Sequence, residues 1–379
     1  MSDSIVYLDN NSTTRVDPAV LEAMLPFFSE HYGNAASRSH AFGWIADEAV
    51  KRSRAIISDF IGAEENEVVF TSGSTESINL AIKGVAEAYV MKGKHIVTIA
   101  TEHKAVLDTC KHLEAQGFDI TILPVLEDGT IDLNILDANI RTDTILVCAM
   151  LANNETGVLL PIDQIAEIVH AKNSVLFCDA TQAGGKIRVN VSELKADLLC
   201  LSAHKMYGPK GTGMLYVRRK NPRVTLITQM DGGGHERNLR SGTLNVPGIV
   251  GFAKACELSK AELMDMNGTI SILRTRLEQE LCDLGASING NIKHRLPNTS
   301  NLNFHGRKAD DIMKALPEIA MATGSACSSA LPEPSHVLTA MGLKEKDAYA
   351  SIRFSLGRFT TGEEIEEVIM KIKRMFLTF

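Results

Sequence analysis

A chain of 379 residues with 45% hydrophobic and 22% charged residues has the composition of a globular protein, and its length suits one large and one smaller domain. The net charge of −7, without any Lys/Arg block, argues against a surface that binds nucleic acid. No apolar run approaches the roughly 20 residues that span a bilayer, and no secretory signal is readable, so we expect no membrane contact. Seven scattered cysteines without a CxxC pair favour reduced thiols in a cytoplasmic protein.

Short apolar runs alternate with helical periods over most of the chain. The seven runs are residues 68–70, 95–100, 120–125, 144–150, 175–178, 198–201 and 214–217. This alternation predicts an α/β domain over residues 15–260, with a mainly parallel seven-stranded sheet flanked by helices. The pattern then changes to long helices at 249–265 and 270–284 and short strands at 301–304 and 351–355. This change predicts a smaller α+β domain over 261–379, closed by residues 1–14.

Polar and ionisable residues follow the ends of several runs. They are the stretch TSGSTE at 71–76, His103, the stretch NNETG at 153–157, Asp179 with Gln182, and Ser202 with His204 and Lys205. Because the carboxyl ends of parallel strands meet at one edge of a sheet, we expect these residues to lie close together.

Each of these features also has an ordinary structural explanation. The 71–76 stretch is either an anion site at a helix N-terminus or only a capped helix start, with Ser74 or Thr75 as the N-cap. His103 could be structural, and Lys205 could be a solvated loop lysine. Alternatively, partial desolvation could keep Lys205 neutral enough to attack a carbonyl carbon. As a set, these residues suit the cofactor pyridoxal phosphate. It requires a lysine for covalent attachment, an acid beside its ring nitrogen, a flat group such as the His103 imidazole over its ring, and donors for its phosphate.

Nine stretches between residue 7 and about residue 361 resemble the cysteine desulfurases, the NifS/IscS family of fold-type I pyridoxal-phosphate enzymes. They are YLDNNSTT, TSGSTES, TEHKAVLDTC, NNETG, DATQ, SAHKMYGPKG, GGGHERNLRSGT, GSACSS and IRFSLGRFTT. The stretch SSALPEPSHVLTAMG is most similar to the long catalytic loop of the IscS branch, which implies a loop at about 324–337. The resemblance implies removal of sulfur from L-cysteine, giving L-alanine and a Cys327 persulfide. That sulfur would pass to an acceptor protein, such as an iron–sulfur scaffold or a sulfur carrier.

The resemblance also implies roles around the ring of the cofactor. Lys205 would carry the cofactor covalently, and Asp179 would pair with its ring nitrogen. Gln182 would bond the ring hydroxyl. His103 would stack on the ring and move protons.

Further roles concern the phosphate and the substrate. Phosphate binding is implied for three residues, Thr75, Ser202 and His204. Thr243 would reach the phosphate in a neighbouring subunit, which implies a homodimer. Asn154, beside the cofactor, and Arg353 would hold the substrate carboxylate, with Asn34 as a helper.

Cys327 differs from the other cysteines of the chain. Three of these, Cys148, Cys178 and Cys200, lie in or beside apolar strands, and three more, Cys110, Cys256 and Cys282, lie in helical stretches. Cys327 lies in the small, polar stretch GSACSS before a loop with two prolines. A thiolate exposed in such a segment can act as a nucleophile, although an isolated cysteine there could equally be incidental.

Two features depart from the family pattern, and several alternatives remain. The usual N-P-[SA]-S is here Asn34-Ala35-Ala36-Ser37, and the chain ends at Phe379, where IscS-branch members carry a tail that helps dock the scaffold. The alternatives are a selenocysteine lyase, an aminotransferase or other pyridoxal-phosphate lyase and, from a different class, a catalytically silent sulfur-relay or scaffold-binding subunit. The cysteine loop favours sulfur chemistry, and a silent subunit would not need the lysine, the histidine and the acid.

Overall fold

The apolar runs form the central sheet of the protein. The computed structural model describes residues 5–324 and 333–377, except for the side chains of 264–267 and 377. Its strands are β1 Val6–Tyr7, β2 Val68–Thr71, β3 His95–Ile99, β4 Asp119–Leu123, β5 Thr144–Met150, β6 Val175–Asp179, β7 Leu198–Ser202, β8 Gly213–Val217, β9 Ser287–Ile288, β10 Thr299–Asn303, β11 Ile319–Ala320 and β12 Ser351–Ser355.

Strands β2 to β8 form the predicted seven-stranded sheet, in the order β2-β8-β7-β6-β5-β3-β4. The five strands from β7 to β4 pair in parallel, and β8 is antiparallel to both of its neighbours. The prediction of a mainly parallel α/β sheet is therefore confirmed. Because β5, β6 and β7 run side by side in the same direction, the residues that follow them meet at one edge.

The helices cover this sheet and build the rest of the protein. They are α1 Pro18–Met24, α2 Pro26–Ser29, α3 Ala41–Ile61, α4 Ser74–Ala88, α5 Lys104–Glu114, α6 Leu133–Asn139, α7 Ile162–Ala171, α8 Val191–Leu194, α9 His235–Asn238, α10 Val246–Cys282, α11 Ala309–Ala315, α12 His336–Ala340, α13 Glu345–Ala348 and α14 Gly362–Leu377. None of the helices among the described residues is both long and apolar enough to cross a bilayer.

Six strands of the large sheet, β2, β3 and β5 to β8, are buried on both faces, whereas the edge strand β4 is partly exposed. Burial on both faces favours strands that are apolar throughout. Successive strand residues point to opposite faces, so Val68 and Phe70 pack in one cluster with α3 and α7, whereas Val69 packs in another with α4 and α5. A third cluster joins β10 and β12 to α14 and the C-terminal part of α10.

The N-terminal segment joins the part of the chain built on β9 to β12. Strand β1 pairs in parallel with β11, and Asp9 forms a bridge with Ser355 at the end of β12. The strands β12, β10 and β9 form a separate antiparallel sheet. The predicted boundary between residues 260 and 261 falls inside α10, and the division into two domains stays a prediction.

The prediction of two helices at 249–265 and 270–284 is wrong. A single helix, α10, runs from Val246 to Cys282, with Gly268 in its interior. One interior glycine costs a helix about 1 kcal/mol relative to alanine. Helix α10 packs against α3 and α14 along its length, and this packing outweighs so small a cost.

Candidate active site

The residues that follow the strands of the large sheet line a cavity of about 470 Å³. Nine of the residues singled out in the sequence line it: Thr75, His103, Asn154, Asp179, Gln182, Ser202, His204, Lys205 and Arg353. Segments that are far apart in the chain therefore contribute to one site. Its volume is typical of a pocket for a small molecule or cofactor.

Lys205 lies on the wall of this cavity, in a short 3₁₀ turn that follows β7. Its Nζ donates hydrogen bonds to the backbone carbonyl oxygens of Asn11, at 2.7 Å, and Ser12, at 2.5 Å. These two bonds hold the amine against the N-terminal segment. Because the side chain is only half-buried, the amine still borders the open cavity.

Asp179 is the last residue of β6 and is buried. Its Oδ1 accepts hydrogen bonds from the backbone N–H of Thr181 at 3.0 Å, from the Thr181 hydroxyl and from the Cys200 thiol at 3.3 Å. These donors satisfy a carboxylate that would otherwise be costly to bury. The acid is thus fixed in the lining of the cavity.

His103 is the N-cap of α5, where its Nδ1 accepts a hydrogen bond from the backbone N–H of Ala105 at 3.1 Å. An acceptor at Nδ1 places the proton of the neutral ring on Nε2. The ring borders the open cavity but is surrounded by protein at longer range, and this desolvation lowers the pKa of His103. The negative charge of Asp179 opposes the shift, while the positive charges of Lys205 and His336 reinforce it.

Helix α4 begins at Ser74, and the residue before it, Gly73, is the N-cap. The N-cap prediction of Ser74 or Thr75 is therefore wrong, because both residues lie in the first helical turn. Gly73 has a φ of 148°, and a side chain on Gly213 of β8 would lie 2.6 Å from the Gly73 Cα. The glycines thus let the turn pack against β8, with the N-terminus of α4 at the cavity. The N–H groups of a helix N-terminus favour anions.

His204 and Ser202 lie beside this helix N-terminus in the cavity lining. The His204 Nδ1 is 3.1 Å from the Thr13 hydroxyl oxygen. Burial, followed by the positive charges of Lys205 and Lys210, lowers the pKa of His204 to about 4. The ring is therefore neutral at physiological pH, and the nearby lysines supply the positive charge.

Arg353, on β12, brings a buried guanidinium to the cavity. Its Nη2 donates to Oδ1 of Asp9 at 2.6 Å, and its Nη1 donates to the backbone oxygen of Asn154 at 2.9 Å. Within the described residues, its buried Nε has no hydrogen-bond partner. A planar cation is thus oriented by two separate segments of the chain.

Two predicted site residues, Asn34 and Thr243, do not line this cavity, and a third lies outside the described residues. Asn34 is exposed, and its Oδ1 accepts a hydrogen bond from the Ala36 N–H, so this chain does not bring it into the lining. Thr243 is exposed and does not line the cavity either. Cys327 lies outside the described residues.

Sequence reasoning missed three residues around the site: Asp9, Glu102 and Lys186. Asp9 follows a short strand, and Lys186 lies four residues after Gln182 in a run of small and apolar residues, which is an unusual place for a lysine. Glu102 directly precedes His103. Its Oε1 accepts a hydrogen bond from the Met150 N–H at 2.5 Å, and its buried Oε2 has no partner among the described residues.

Complete burial raises the pKa of Glu102 well above its usual range, and the charge of Asp179 acts in the same direction. Below the pKa of the unfolded chain the carboxyl is neutral in both states, so its contribution to stability is fully present. As pH rises further, the unfolded state ionises first, and the free energy of unfolding falls by about 1.4 kcal/mol per pH unit until the folded-state pKa is reached.

The substitution Glu102→Gln removes this loss, because the amide does not ionise. Urea unfolding between about pH 5 and about pH 8 should therefore show a difference in stability that grows with pH in favour of the variant. Glu114→Gln, on the exposed side of α5, is the control and should follow the wild type. A Glu102→Gln difference that is constant over this range would contradict a neutral Glu102.

Comparisons with known proteins agree on one family. The family model for class-V aminotransferases matches residues 6–368. The cysteine desulfurase IscS of Anaeromyxobacter sp. (strain Fw109-5) is 54% identical over 96% of this chain and 90% of its own. The cysteine desulfurase IscS of Escherichia coli O139:H28 is 50% identical over 97% of this chain and 92% of its own. A solved NifS-like protein superimposes with a TM-score of 0.93 at 38% identity, covering 99% of this chain and 100% of its own.

Proposed function

We propose roles for the cavity residues on the premise that this chain belongs to the class-V aminotransferase family and is a pyridoxal-phosphate-dependent cysteine desulfurase. The enzyme acts on L-cysteine and passes the sulfur to an acceptor. The observation that carries the proposal is the meeting of Lys205 and Asp179 with a helix N-terminus in one cavity.

The donor set of the cavity fits pyridoxal phosphate. A primary amine on Lys205 suits the aldehyde, and the buried carboxylate of Asp179 suits a protonated ring nitrogen. The N-terminus of α4 and the side chains of Thr75, Ser202 and His204 offer neutral donors to a phosphate, with Lys210 and Lys205 as nearby cations. We assign these residues to the cofactor, together with His103 against the ring and Gln182 at the ring hydroxyl.

Proton movements are assigned to three side chains. When bound, the cofactor supplies an electron sink for the carbanion that forms at the substrate Cα. Lys205 accepts the Cα proton, since its Nζ is the amine held at the cavity wall. Asp179 keeps the ring nitrogen protonated, because its negative carboxylate, fixed by three donors, stabilises the positive charge on that nitrogen. His103, which is neutral and bears its proton on Nε2, donates a proton during cleavage of the carbon–sulfur bond.

The substrate carboxylate is assigned to Arg353, with Asn154 beside it. Arginine can bind a carboxylate through two parallel hydrogen bonds, which lysine cannot do. The buried guanidinium is held by Asp9 and by the Asn154 carbonyl, so its plane is fixed before the substrate arrives. Asn34, which is exposed in the single chain, is proposed only as a helper to these two residues.

Arg353→Lys is expected to raise the KM for L-cysteine by about 10- to 100-fold, which corresponds to the loss of one hydrogen bond to a charged group. The spectrum of the bound cofactor should not change, because the assigned contacts of Arg353 are with the substrate. Steady-state alanine release measures both KM and kcat. Arg358→Lys is the control, since Arg358 forms a buried ion pair with Asp17 away from the cavity lining. An equal rise in KM in both variants would indicate a general loss of structure.

Cys327 is proposed as the nucleophile that takes the substrate sulfur. Among the described cysteines, five are buried, Cys282 is partly buried, and none lines the cavity. Burial raises the pKa of Cys148, Cys178 and Cys200, which disfavours a reactive thiolate at these positions. These cysteines are therefore poor candidates, and the sequence around Cys327 supports the assignment.

We further propose that the enzyme is a homodimer. An exposed apolar surface extends over consecutive segments of α1, α2 and the start of α3, with Leu25, Phe28, Tyr32, Phe42 and Trp44 between 46% and 66% exposed. The rings of Tyr32 and Phe42 lie 5.2 Å apart. A large apolar patch of this kind is typical of an interface. A second copy is proposed to cover it, and Thr243, which is exposed, is proposed to reach that copy's phosphate site.

Phe28→Glu should raise the dissociation constant of the dimer by about 100-fold, because it would bury an unpaired charge at the interface. Size-exclusion chromatography with light scattering measures the change. Met370→Glu places the same charge on an apolar residue of α14 that is equally exposed and should leave the mass unchanged. A monomeric wild type, or a Phe28→Glu protein with wild-type mass at all concentrations, would refute this interface.

The acceptor is proposed to be an iron–sulfur scaffold or a sulfur-carrier protein in the cytoplasm. The six described cysteines are all free, which agrees with a reducing compartment. The test of the function is the release of alanine and sulfide from purified holoenzyme with L-cysteine and dithiothreitol, with L-selenocysteine in parallel. Equimolar alanine and sulfide from cysteine are expected, whereas cleavage of selenocysteine alone would indicate a lyase.

A further inference from the structure

Lys186 carries a buried amine that none of the roles assigned so far uses. It lies in the turn that follows β6, is only 8% exposed and stands behind Gln182, outside the lining of the cavity. Its Nζ donates to the backbone oxygen of Gln182 at 3.1 Å and to the side-chain Oε1 of Gln182 at 2.8 Å. Burying a charged lysine near Lys205 and Arg353 costs folding free energy, so we expect Lys186 to have a function that offsets this cost.

The contacts of Gln182 fix which way its amide group faces. On one side, Nζ of Lys186 donates to the oxygen Oε1, so the amide oxygen is the atom that faces Lys186. The opposite atom, Nε2, donates to the backbone oxygen of Asn11 at 2.8 Å, and a carbonyl oxygen can only accept. The Asn11 carbonyl therefore requires this orientation, and the hydrogen bond from Lys186 holds the amide oxygen in it.

This orientation determines what Gln182 offers to the cavity that it lines. One N–H of Nε2 is used by Asn11, and the amide oxygen is engaged by Lys186. With the amide oxygen turned towards Lys186, the second N–H of Nε2 is a donor that Gln182 can offer to the cavity. A donor stabilises an anionic oxygen next to it, whereas a carbonyl in the same place would favour a protonated hydroxyl.

We propose that Lys186 is a positioning residue that holds Gln182 as a hydrogen-bond donor to the ring hydroxyl oxygen of the cofactor, so that this oxygen is bound in its deprotonated form. The inference rests on the proposed role of Gln182 at that oxygen. The same Asn11 carbonyl also accepts from Nζ of Lys205 at 2.7 Å. Lys186, Gln182, Asn11 and Lys205 therefore form one chain of hydrogen bonds from the protein interior to the reactive amine.

The test uses the absorption spectrum of the holoenzyme at neutral pH and the affinity of the apoenzyme for pyridoxal phosphate. Lys186→Met keeps the length of the side chain and removes the donor, and Lys186→Leu is a second apolar variant in case the first does not fold. Both variants should shift the absorbance of the bound cofactor from the visible band, in which the ring hydroxyl is deprotonated, to the near-ultraviolet band, in which it is protonated. Gln182→Leu should cause the same shift. The dissociation constant of the cofactor should rise by about 5- to 10-fold.

Two further variants sharpen the test. Lys186→Arg keeps a group that only donates and should retain the wild-type spectrum. Lys195→Met removes a surface lysine that is paired with Glu167 and is the control for the loss of a lysine as such. A wild-type spectrum for both apolar Lys186 variants, beside a changed spectrum for Gln182→Leu, would overturn the inference and leave the role of Gln182 intact. A wild-type spectrum for Gln182→Leu would instead remove that role, and the inference with it.

Discussion

Lys205→Ala should lower the release of alanine and sulfide from L-cysteine by about 10,000-fold or more, because it removes both the covalent attachment of the cofactor and the base for the Cα proton. The amine is held at the cavity wall by the carbonyl oxygens of Asn11 and Ser12, and neither residue has a side chain that could replace it. Borohydride reduction followed by peptide mass spectrometry should find the cofactor on Lys205 in the wild type and nowhere in the variant.

Lys210→Ala is the matched control, since Lys210 also lines the cavity and contributes positive charge near His204. This variant should bind the cofactor more weakly by about 3- to 10-fold and, once saturated, should retain its rate. Reductive labelling of Lys210, or appreciable turnover by Lys205→Ala, would show that the wrong lysine has been assigned.

The large sheet could be predicted from the sequence because its signal is local. Strands buried on both faces are continuous apolar runs, and turn residues mark their ends. The runs at 144–150 and 175–178 therefore coincide with β5 and β6 to within one residue. The order of the strands could not be read in this way, since β8 inserts between β2 and β7 through long-range pairing.

The same distinction between local and long-range information explains which residues of the cavity could be predicted from the sequence. Asp179 ends one strand and Lys205 follows another, and parallel strands bring such positions to one edge, so their meeting could be anticipated. The partner of Arg353 could not, because Asp9 is 344 residues away in the chain. Likewise, the position of Glu102 next to His103 gives no sign that its side chain points into the protein.

The local sequence was also a poor guide to where two helices, α4 and α10, begin or end. Residues 266–269 separate the two predicted helices, yet α10 continues through them as one helix that packs against α3 and α14. In contrast, the start of α4 at Ser74 depends on the backbone of Gly73 and on its close contact with Gly213, which lies in another strand. Only the folded sheet brings these glycines together.

Cys327→Ser should abolish the release of alanine and sulfide, with a loss of about 1,000-fold or more, while leaving the binding of cofactor and L-cysteine intact. In the proposed step, the Cys327 thiolate attacks the sulfur of the substrate. A sulfur–sulfur bond forms as the carbon–sulfur bond breaks, and the electron pair leaves with the carbon skeleton, which is protonated to L-alanine. A serine hydroxyl does not ionise at neutral pH and cannot take up the sulfur in this way.

Three measurements separate this role from a general loss of function. L-cysteine should still perturb the visible spectrum of Cys327→Ser, because Lys205, Asp179 and Arg353 are unchanged. Without a reductant, the wild type should gain one sulfur atom on the peptide that contains Cys327, and the variant should gain none. Cys282→Ser is the control, since Cys282 is partly exposed and does not line the cavity, and it should keep the wild-type rate. If Cys327→Ser instead turned over L-cysteine at an appreciable rate, sulfur would have to leave without a cysteine acceptor, as in a lyase.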